Sequence, residues 1–330
     1  MILAGDIGGT NARLAYFQPS NGSLQLISER VFPSREHKEL GEIVTEFLQG
    51  SPTRPQVACF GIAGPVLNGR VETSNLPWVI ERDRLARQIE LPDTLLINDL
   101  EASAWGIGGL GQTDLVSLNR GSEQASGNQA VIAPGTGLGE AGLYWDGRRH
   151  HIFAAEGGHT DFAAQGELQI ELLRFLAARY EHVSYERILS GPGLVNVYEF
   201  LCVTQRGKGQ ANFDQQLQQD EPAAAISRAA LDGSNPLAEQ ALDLWLSIYG
   251  AEAGNLALKV MATGGIFLAG GISPKILPKL TGPAFMQSFL AKGRLRALVE
   301  AVPVQVVTND KAGLLGAARC ANASQHENHG

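Results

Sequence analysis

One plan occurs twice in this chain of 330 residues, and it constrains the fold more than any other feature. Ile2-Leu3-Ala4 leads into Gly5-Asp6-Ile7-Gly8-Gly9-Thr10, followed by a strand-like run at 13–17, an Asn21-Gly22 turn and a second strand-like run at 24–32. More than a hundred residues later, residues 130–133 lead into Pro134-Gly135-Thr136-Gly137-Leu138-Gly139. Strand-like residues 141–145 follow, then an Asp146-Gly147 turn and a return run through Phe153. Asn-Gly and Asp-Gly between alternating apolar runs are the strongest short-range hairpin signals. Each unit therefore reads as strand, glycine loop, strand, tight turn, strand. Two such glycine corners, one per half, are suited to close on a polyphosphate from opposite sides.

Glycine suits such a corner because it reaches φ > 0 freely and lets backbone N–H groups approach an anion closely. Thr10, Asn11 and Thr136 add side-chain donors. One loop of this kind alone is an ordinary hairpin turn; two in matching context favour phosphate. A Gly137→Val change is then expected to weaken use of the polyphosphate ligand and spare binding of any second substrate. Gly137-Leu138-Gly139-Glu140-Ala141-Gly142 also matches the dinucleotide pattern G-x-G-x-x-G. That pattern should open a helix, whereas the residues after it read as strand and turn, so the match is accidental. No G-x-x-x-x-G-K-[ST] occurs, because Cys202 stands where Gly207-Lys208 would need the first glycine.

The formal charge of −8 argues against nucleic acid, which rewards basic patches. An acidic protein that handles a polyphosphate must rely on backbone donors and a bound cation. Cys59, Cys202 and Cys320 are widely spaced and make neither a disulfide framework nor a C-x-x-C metal pattern, which suits a reducing cytoplasm. No basic leader precedes the first strand and no apolar run approaches a membrane span, so the expectation is a cytoplasmic protein without a membrane partner.

Along the first hundred residues strand and helix alternate, as in a layered α/β domain: helix 36–49, strand 57–62, helix 82–88, strand 94–97. The polar stretch to Asn128 reads as passage into a second domain. That domain carries an amphipathic helix at 167–180, an exposed loop at 204–220, and a long helix after Asn235-Pro236. A buried strand at 265–269 ends in Gly270-Gly271, with a helix expected after Ser273-Pro274. A last strand at 302–307 precedes a helix at 311–319, and residues 321–330 read as a disordered tail in which His326 and His329 are solvated.

Taken in order, these residues resemble the bacterial glucokinases of the hexokinase–actin superfamily. The resemblance begins with Gly5-Asp6-Ile7-Gly8-Gly9-Thr10-Asn11-Ala12-Arg13. It continues through Phe60-Gly61-Ile62-Ala63-Gly64-Pro65, Ser74-Asn75-Leu76-Pro77-Trp78, Ile97-Asn98-Asp99 and Pro134-Gly135-Thr136-Gly137-Leu138-Gly139. Glu156-Gly157-Gly158-His159, the run from Glu186 to Gly193 and Leu268-Ala269-Gly270-Gly271-Ile272 complete it, to about Ala318. The related repressor–kinase branch carries a cysteine-rich zinc motif after its Glu-x-Gly-His. Residues 160–171 have no cysteine, so the chain resembles the zinc-free branch.

The resemblance implies a two-domain, actin-like (ribonuclease H-like) α/β ATPase fold with its active site in the cleft between domains. The small domain would comprise 1–109 with 301–320, its last helix returning to it, and the large domain 110–300. It implies ATP-dependent phosphorylation of D-glucose at the 6-hydroxyl, with Mg²⁺ and without zinc. Homodimers are common in that family, although nothing in the composition points to one.

A sugar hydroxyl is protonated at neutral pH, so a carboxylate within hydrogen-bond reach is the natural base. Asp99 follows an apolar strand, at the edge where open α/β sheets place ligands. From position alone, Asp99 or Asn98 beside it reads first as the cap of a helix beginning near Glu101. The resemblance instead makes Asp99 the base and assigns the sugar hydroxyls to Asn98, Asp99, Glu156, His159 and Glu186, with Asn75 a weaker candidate. Asp6 would organise Mg²⁺ through water, since Mg²⁺ gives up its waters reluctantly. Ile7, Gly8, Gly9, Thr10, Asn11, Gly135, Thr136 and Gly137 would meet the phosphates, and Gly270 and Gly271 the adenosine.

The same residues admit mannose, fructose or an amino sugar in place of glucose, and polyphosphate in place of ATP. A sugar-sensing regulator on the same fold should carry a DNA-binding helical module ahead of the phosphate loop, where only four residues precede Gly5.

Overall fold

Strand β1 (Ile2–Ile7) is apolar on both faces, so it must be covered on both. In the computed structural model, which describes residues 1–20, 23–50, 53–73, 76–204, 213, 217 and 221–327, it is the centre of a five-stranded sheet. The chain divides into one unit of Met1–Asp114 with Asn309–Gly330 and another of Leu115–Thr308.

In the first unit β1 pairs antiparallel with β2 (Asn11–Ser20), which pairs with β3 (Ser23–Pro33). After α1 (Leu40–Gln49), strand β4 (Val57–Ile62) pairs parallel with β1. A small hairpin, β5 (Arg70–Glu72) and β6 (Val79–Glu81), and α2 (Arg82–Gln88) lead to β7 (Thr94–Asn98), parallel to β4, and then α3 (Asp99–Ile107). Leu3, Ile7, Leu14, Phe60, Ile43 and Phe47 fill one face of the sheet. The opposite face, with Ile2, Ala4, Val57 and Cys59, is covered by Leu314, Ala317, Ala318 and Ala321 of the C-terminal helix (Ala312–Glu327).

In the second unit β8 (Leu115–Asn119), β9 (Gln129–Pro134), β10 (Leu138–Trp145) and β11 (His150–Ala155) come first. Helices α4 (Gly166–Ala177), α5 (Gly191–Val203), α6 (Pro222–Leu231) and α7 (Pro236–Lys259) precede β12 (Gly265–Leu268) and β13 (Val304–Val307). Asn235 caps α7, its side-chain oxygen accepting from the N–H of Leu237 and Ala238, with Pro236 in the first turn. Trp245, Tyr249, Phe285 and Phe289 pack in a row within this unit's core.

The sheet orders are β3-β2-β1-β4-β7 and β11-β10-β9-β12-β13-β8. Hairpin, central strand and parallel neighbour thus recur in one order, so the sequence repeat is a duplicated topology. β10 is a strand directly after Gly137, which disposes of the dinucleotide pattern.

Several expectations shift. The 36–49 helix begins only at Leu40, a 3₁₀ turn (Ser34–Glu36) occupying the approach. Helix 167–180 is Gly166–Ala177, and Ser273-Pro274 opens turns, with a single helical turn at Leu277–Leu280. Strand β13 belongs to the second unit, paired with β12, so the units part at 308/309 and 114/115 rather than at 300/301 and 109/110. The expected tail is helical to Glu327, because nothing in Ala321-Asn322-Ala323-Ser324-Gln325 breaks a helix and Ala321 is fully buried. His326 lies in its last turn; residues 328–330, with His329, lie outside the described residues. So do Asn21-Gly22 and, apart from Thr204, Phe213 and Leu217, the 204–220 segment, where Phe213 is buried in the core. No helix among the described residues is long and apolar enough to cross a membrane.

The C-terminal helix crosses α3 through glycines. A β-carbon at Gly316 would run into the carbonyl of Ala102, and one at Gly106 into that of Ala312. Gly316→Ala is therefore expected to destabilise by about 1–3 kcal/mol, although alanine is the better helix former by about 1 kcal/mol. Urea unfolding of the two proteins measures this; equal or greater stability of the variant would mean that the helices have room to spare.

Candidate active site

In the first unit, the registers Ile7↔Ile62 and Ile62↔Asn98 align the carboxyl ends of three parallel strands. The loop after β1 and the start of α3 therefore lie on one sheet edge, two strands or about 10 Å apart. The loop is a tight turn: Gly8 N–H donates to the Asn11 carbonyl at 3.0 Å, and Thr10 and Asn11 are exposed. Buried Ser34, which sequence reasoning missed for lack of any local motif, pins it. Its hydroxyl donates to the Gly8 carbonyl at 2.8 Å and its N–H to that of Thr10 at 2.9 Å. Gly8 is not in the left-handed region; its lack of a side chain matters because the Asn11 carbonyl lies 3.2 Å from where a β-carbon would stand.

Asp6 pairs in register with Arg13, and its carboxylate lies 3.6 Å from the β-carbon position of Gly313 at the start of the C-terminal helix. Burial raises its pKa; Arg13 opposes the shift and Asp310 adds to it. A cation beside the carboxylate would reverse that shift. Among the described residues no three His, Cys, Asp or Glu side chains are grouped to hold a metal ion. A lone carboxylate still suits Mg²⁺, which is usually held by one or two carboxylates together with phosphates and water.

Asn98 is the N-cap of α3. Its Oδ1 accepts from Leu100 N–H at 2.8 Å, and Glu101 returns a bond to its backbone N–H at 3.0 Å, a complete capping box. Its amide nitrogen donates to the Gly64 carbonyl at 2.9 Å. Its side-chain oxygen also accepts from the Glu101 N–H in that box, so one of its four hydrogen-bonding positions, the second amide N–H, remains for a ligand. Asp99 is the first helical residue, where helix polarity favours a negative charge. Asn75 lies outside the described residues.

In the second unit the loop after β9 is closed by Gly135 N–H donating to the Gly137 carbonyl at 2.8 Å. Gly270, at φ +79°, lies against the Pro134 carbonyl, so the two glycine loops are neighbours. Gly135 and Gly271 have open space where side chains would be, and Thr136 is exposed.

Glu156 precedes and His159 ends a 3₁₀ turn, Gly157–His159, in which His159 N–H donates to the Glu156 carbonyl at 3.1 Å. Tyr185 N–H donates to the Thr160 carbonyl at 3.0 Å, which brings Glu186 to this turn. Glu186 Oε2 stands 4.0 Å from His159 Nε2 and accepts from Leu138 N–H at 3.0 Å. A β-carbon at Gly137 would collide with the Glu186 carboxylate, so Gly137→Val is expected to disturb the Glu156–His159–Glu186 cluster as well as the loop after β9.

Duplicated sheets with glycine loops at their strand ends, and a carboxylate–histidine cluster beside one of them, define a two-domain actin-like ATPase fold of the sugar-kinase kind. The chain belongs to the glucokinase family, whose model, described as Glucokinase, matches residues 3–324. A glucokinase from a Nostoc species is 42% identical over 97% of this chain and 98% of its own, and one from Synechocystis is 42% identical over 98% of each. Among solved structures, a glucokinase from an Antarctic psychrotroph superposes with a TM-score of 0.85 at 31% identity over 98% of both chains. A ROK-family glucokinase from Streptomyces griseus, solved with glucose and AMPPNP, gives 0.65 at 22% identity over 98% and 99%, a likeness of fold alone.

Proposed function

We propose that the protein transfers the terminal phosphoryl group of ATP to the 6-hydroxyl of D-glucose, giving glucose 6-phosphate and ADP. The observation that best supports this is at the start of α3. Asn98 is the N-cap, and the Asp99 carboxylate beside it, whose Oδ1 accepts from Leu100 N–H at 3.0 Å, lies on the same sheet edge as the Asp6–Asn11 loop. Asp99 accepts the hydroxyl proton as the oxygen attacks phosphorus. Asn98, Glu156, His159 and Glu186 bond the remaining hydroxyls and fix the sugar's orientation. The exposed Thr10, Asn11 and Thr136, with the backbone of both glycine loops, hold the phosphates. Asp6 would hold Mg²⁺ through water. When bound, that ion supplies charge neutralisation on the phosphate oxygens.

A coupled assay across glucose, mannose, fructose and glucosamine, each with ATP or polyphosphate, tests the reading. Glucose with MgATP is expected to give the highest kcat/KM, and EDTA to abolish turnover. Undiminished turnover in metal-free buffer would contradict the proposed charge neutralisation, and preference for another sugar would displace glucose.

A further inference from the structure

Strand β10 lies between β9 and β11, and one of its buried positions is a carboxylic acid. Glu140 is 2% exposed and stands opposite Ile132 on one side and Ala155 on the other. Its Oε1 has no hydrogen-bond partner among the described residues. The rest of the carboxyl group fills the space that a side chain at Gly157 would need, and the Leu138 carbonyl does the same at Gly158. The floor of the Glu156-Gly157-Gly158-His159 turn is therefore β10, and the part beneath Gly157 is the Glu140 carboxyl.

The charged and titratable groups around it come mainly from α7. Glu252 is fully buried and paired with Lys259 Nζ at 2.8 Å and Asn255 Nδ2 at 2.9 Å, so Lys259 is already engaged. Asn255 also donates to the Tyr185 hydroxyl at 3.1 Å and accepts from Lys292 at 2.6 Å. Tyr249, also on α7, is fully buried and bonds Ser273. On the turn itself are Glu156 and His159, both exposed. Burial above all, then the charge of Glu252, pushes Glu140 up to about 7, with Lys259 opposing. A protonated carboxyl tolerates this place. A carboxylate facing Glu252 with an unbonded oxygen needs water, and the turn above it is the part that lies nearest solvent.

We infer that Glu140 is a positioning residue for the sugar site: uncharged, it seats the Gly157 turn so that Glu156 and His159 converge, and ionised, it unseats that turn. The inference rests on the proposed role of Glu156 and His159 in binding sugar. If only the uncharged form is competent, apparent glucose affinity falls by the competent fraction.

The test is glucose KM from pH 6 to 8.5 for the wild type and Glu140→Gln, which keeps the shape and never ionises. Wild-type KM is expected to rise roughly tenfold relative to the Gln variant between pH 7 and 8.5, with kcat and ATP KM moving in parallel in both proteins. Because the wild type must give up a proton that the native state holds, the Gln variant should also melt higher than it at pH 8.5 and not at pH 5. Parallel KM profiles in two folded proteins would overturn the inference. Glu156→Gln and His159→Asn, measured at pH 6, separate the underlying reading. If both leave glucose KM unchanged, the turn is not the sugar site and both conclusions fall; if they raise it while the Glu140 profiles stay parallel, only the inference about Glu140 falls.

Discussion

Asp99→Asn is expected to lower kcat by about 10²–10⁴-fold, roughly 3–5 kcal/mol of barrier, while glucose affinity changes far less. The amide is nearly isosteric and still hydrogen-bonds a sugar hydroxyl, but it does not accept a proton from one. Asn98 is the N-cap of α3 and Glu101 completes the box, while Asp99 Oδ1 also accepts from Leu100 N–H at 3.0 Å, a bond that an Asn side chain would keep. At the first helical position, losing the negative charge costs about 0.3–1 kcal/mol of stability, too little to unfold the protein. Measuring kcat, glucose affinity by tryptophan fluorescence and Tm on one variant keeps chemistry, binding and folding apart. A folded variant with near-normal kcat would remove Asp99 as the base.

Gly137→Val is expected to lower kcat/KM by about 10²-fold for glucose and ATP alike, the scale of loss from misplacing reacting groups by about 1 Å. Gly137 is not in the left-handed region, so the effect is steric rather than conformational. The space a side chain needs is taken by the Glu186 carboxylate, which bonds Leu138 N–H and faces His159. A valine must push Glu186 aside, so the loop after β9 and the Glu156–His159–Glu186 cluster are expected to move together. Removing that carboxylate removes the collision. Gly137→Val combined with Glu186→Ala should therefore bind glucose no worse than Glu186→Ala alone, a strong non-additivity. Loss confined to ATP KM in the single variant would show that the two sets of residues are not linked through Glu186.

The duplicated topology was legible because hairpins announce themselves through Asn21-Gly22 and Asp146-Gly147, and because Asn235-Pro236 writes a helix start directly. The meeting of Glu156, His159 and Glu186 was named only through family resemblance, since their approach depends on backbone pairing between Thr160 and Tyr185. What escaped the sequence is mostly close approach. Gly8 and Gly137 read as residues chosen for φ > 0, yet neither has it: a carboxylate stands where a side chain at Gly137 would go, and a carbonyl crowds that position at Gly8. Glu140 passed as an ordinary residue of a chance dinucleotide pattern. Its signal was a charge inside an otherwise apolar central strand, visible only once the strand is placed between two others. The helix end at Glu327 escaped because a polar segment without a breaker stays helical when one face, at Ala317, Ala318 and Ala321, is docked on a sheet.

The central claim is that these loops and carboxylates place a phosphoryl group on the 6-oxygen of glucose. Phosphorus–proton correlation NMR of the product made from glucose and MgATP tests it most directly. The phosphorus is expected to couple to the two protons on C6, with one ADP formed for each phosphorylated sugar, and 6-deoxyglucose is expected to give no product. Phosphorus on any other oxygen, or ADP released without phosphorylated sugar, would contradict it.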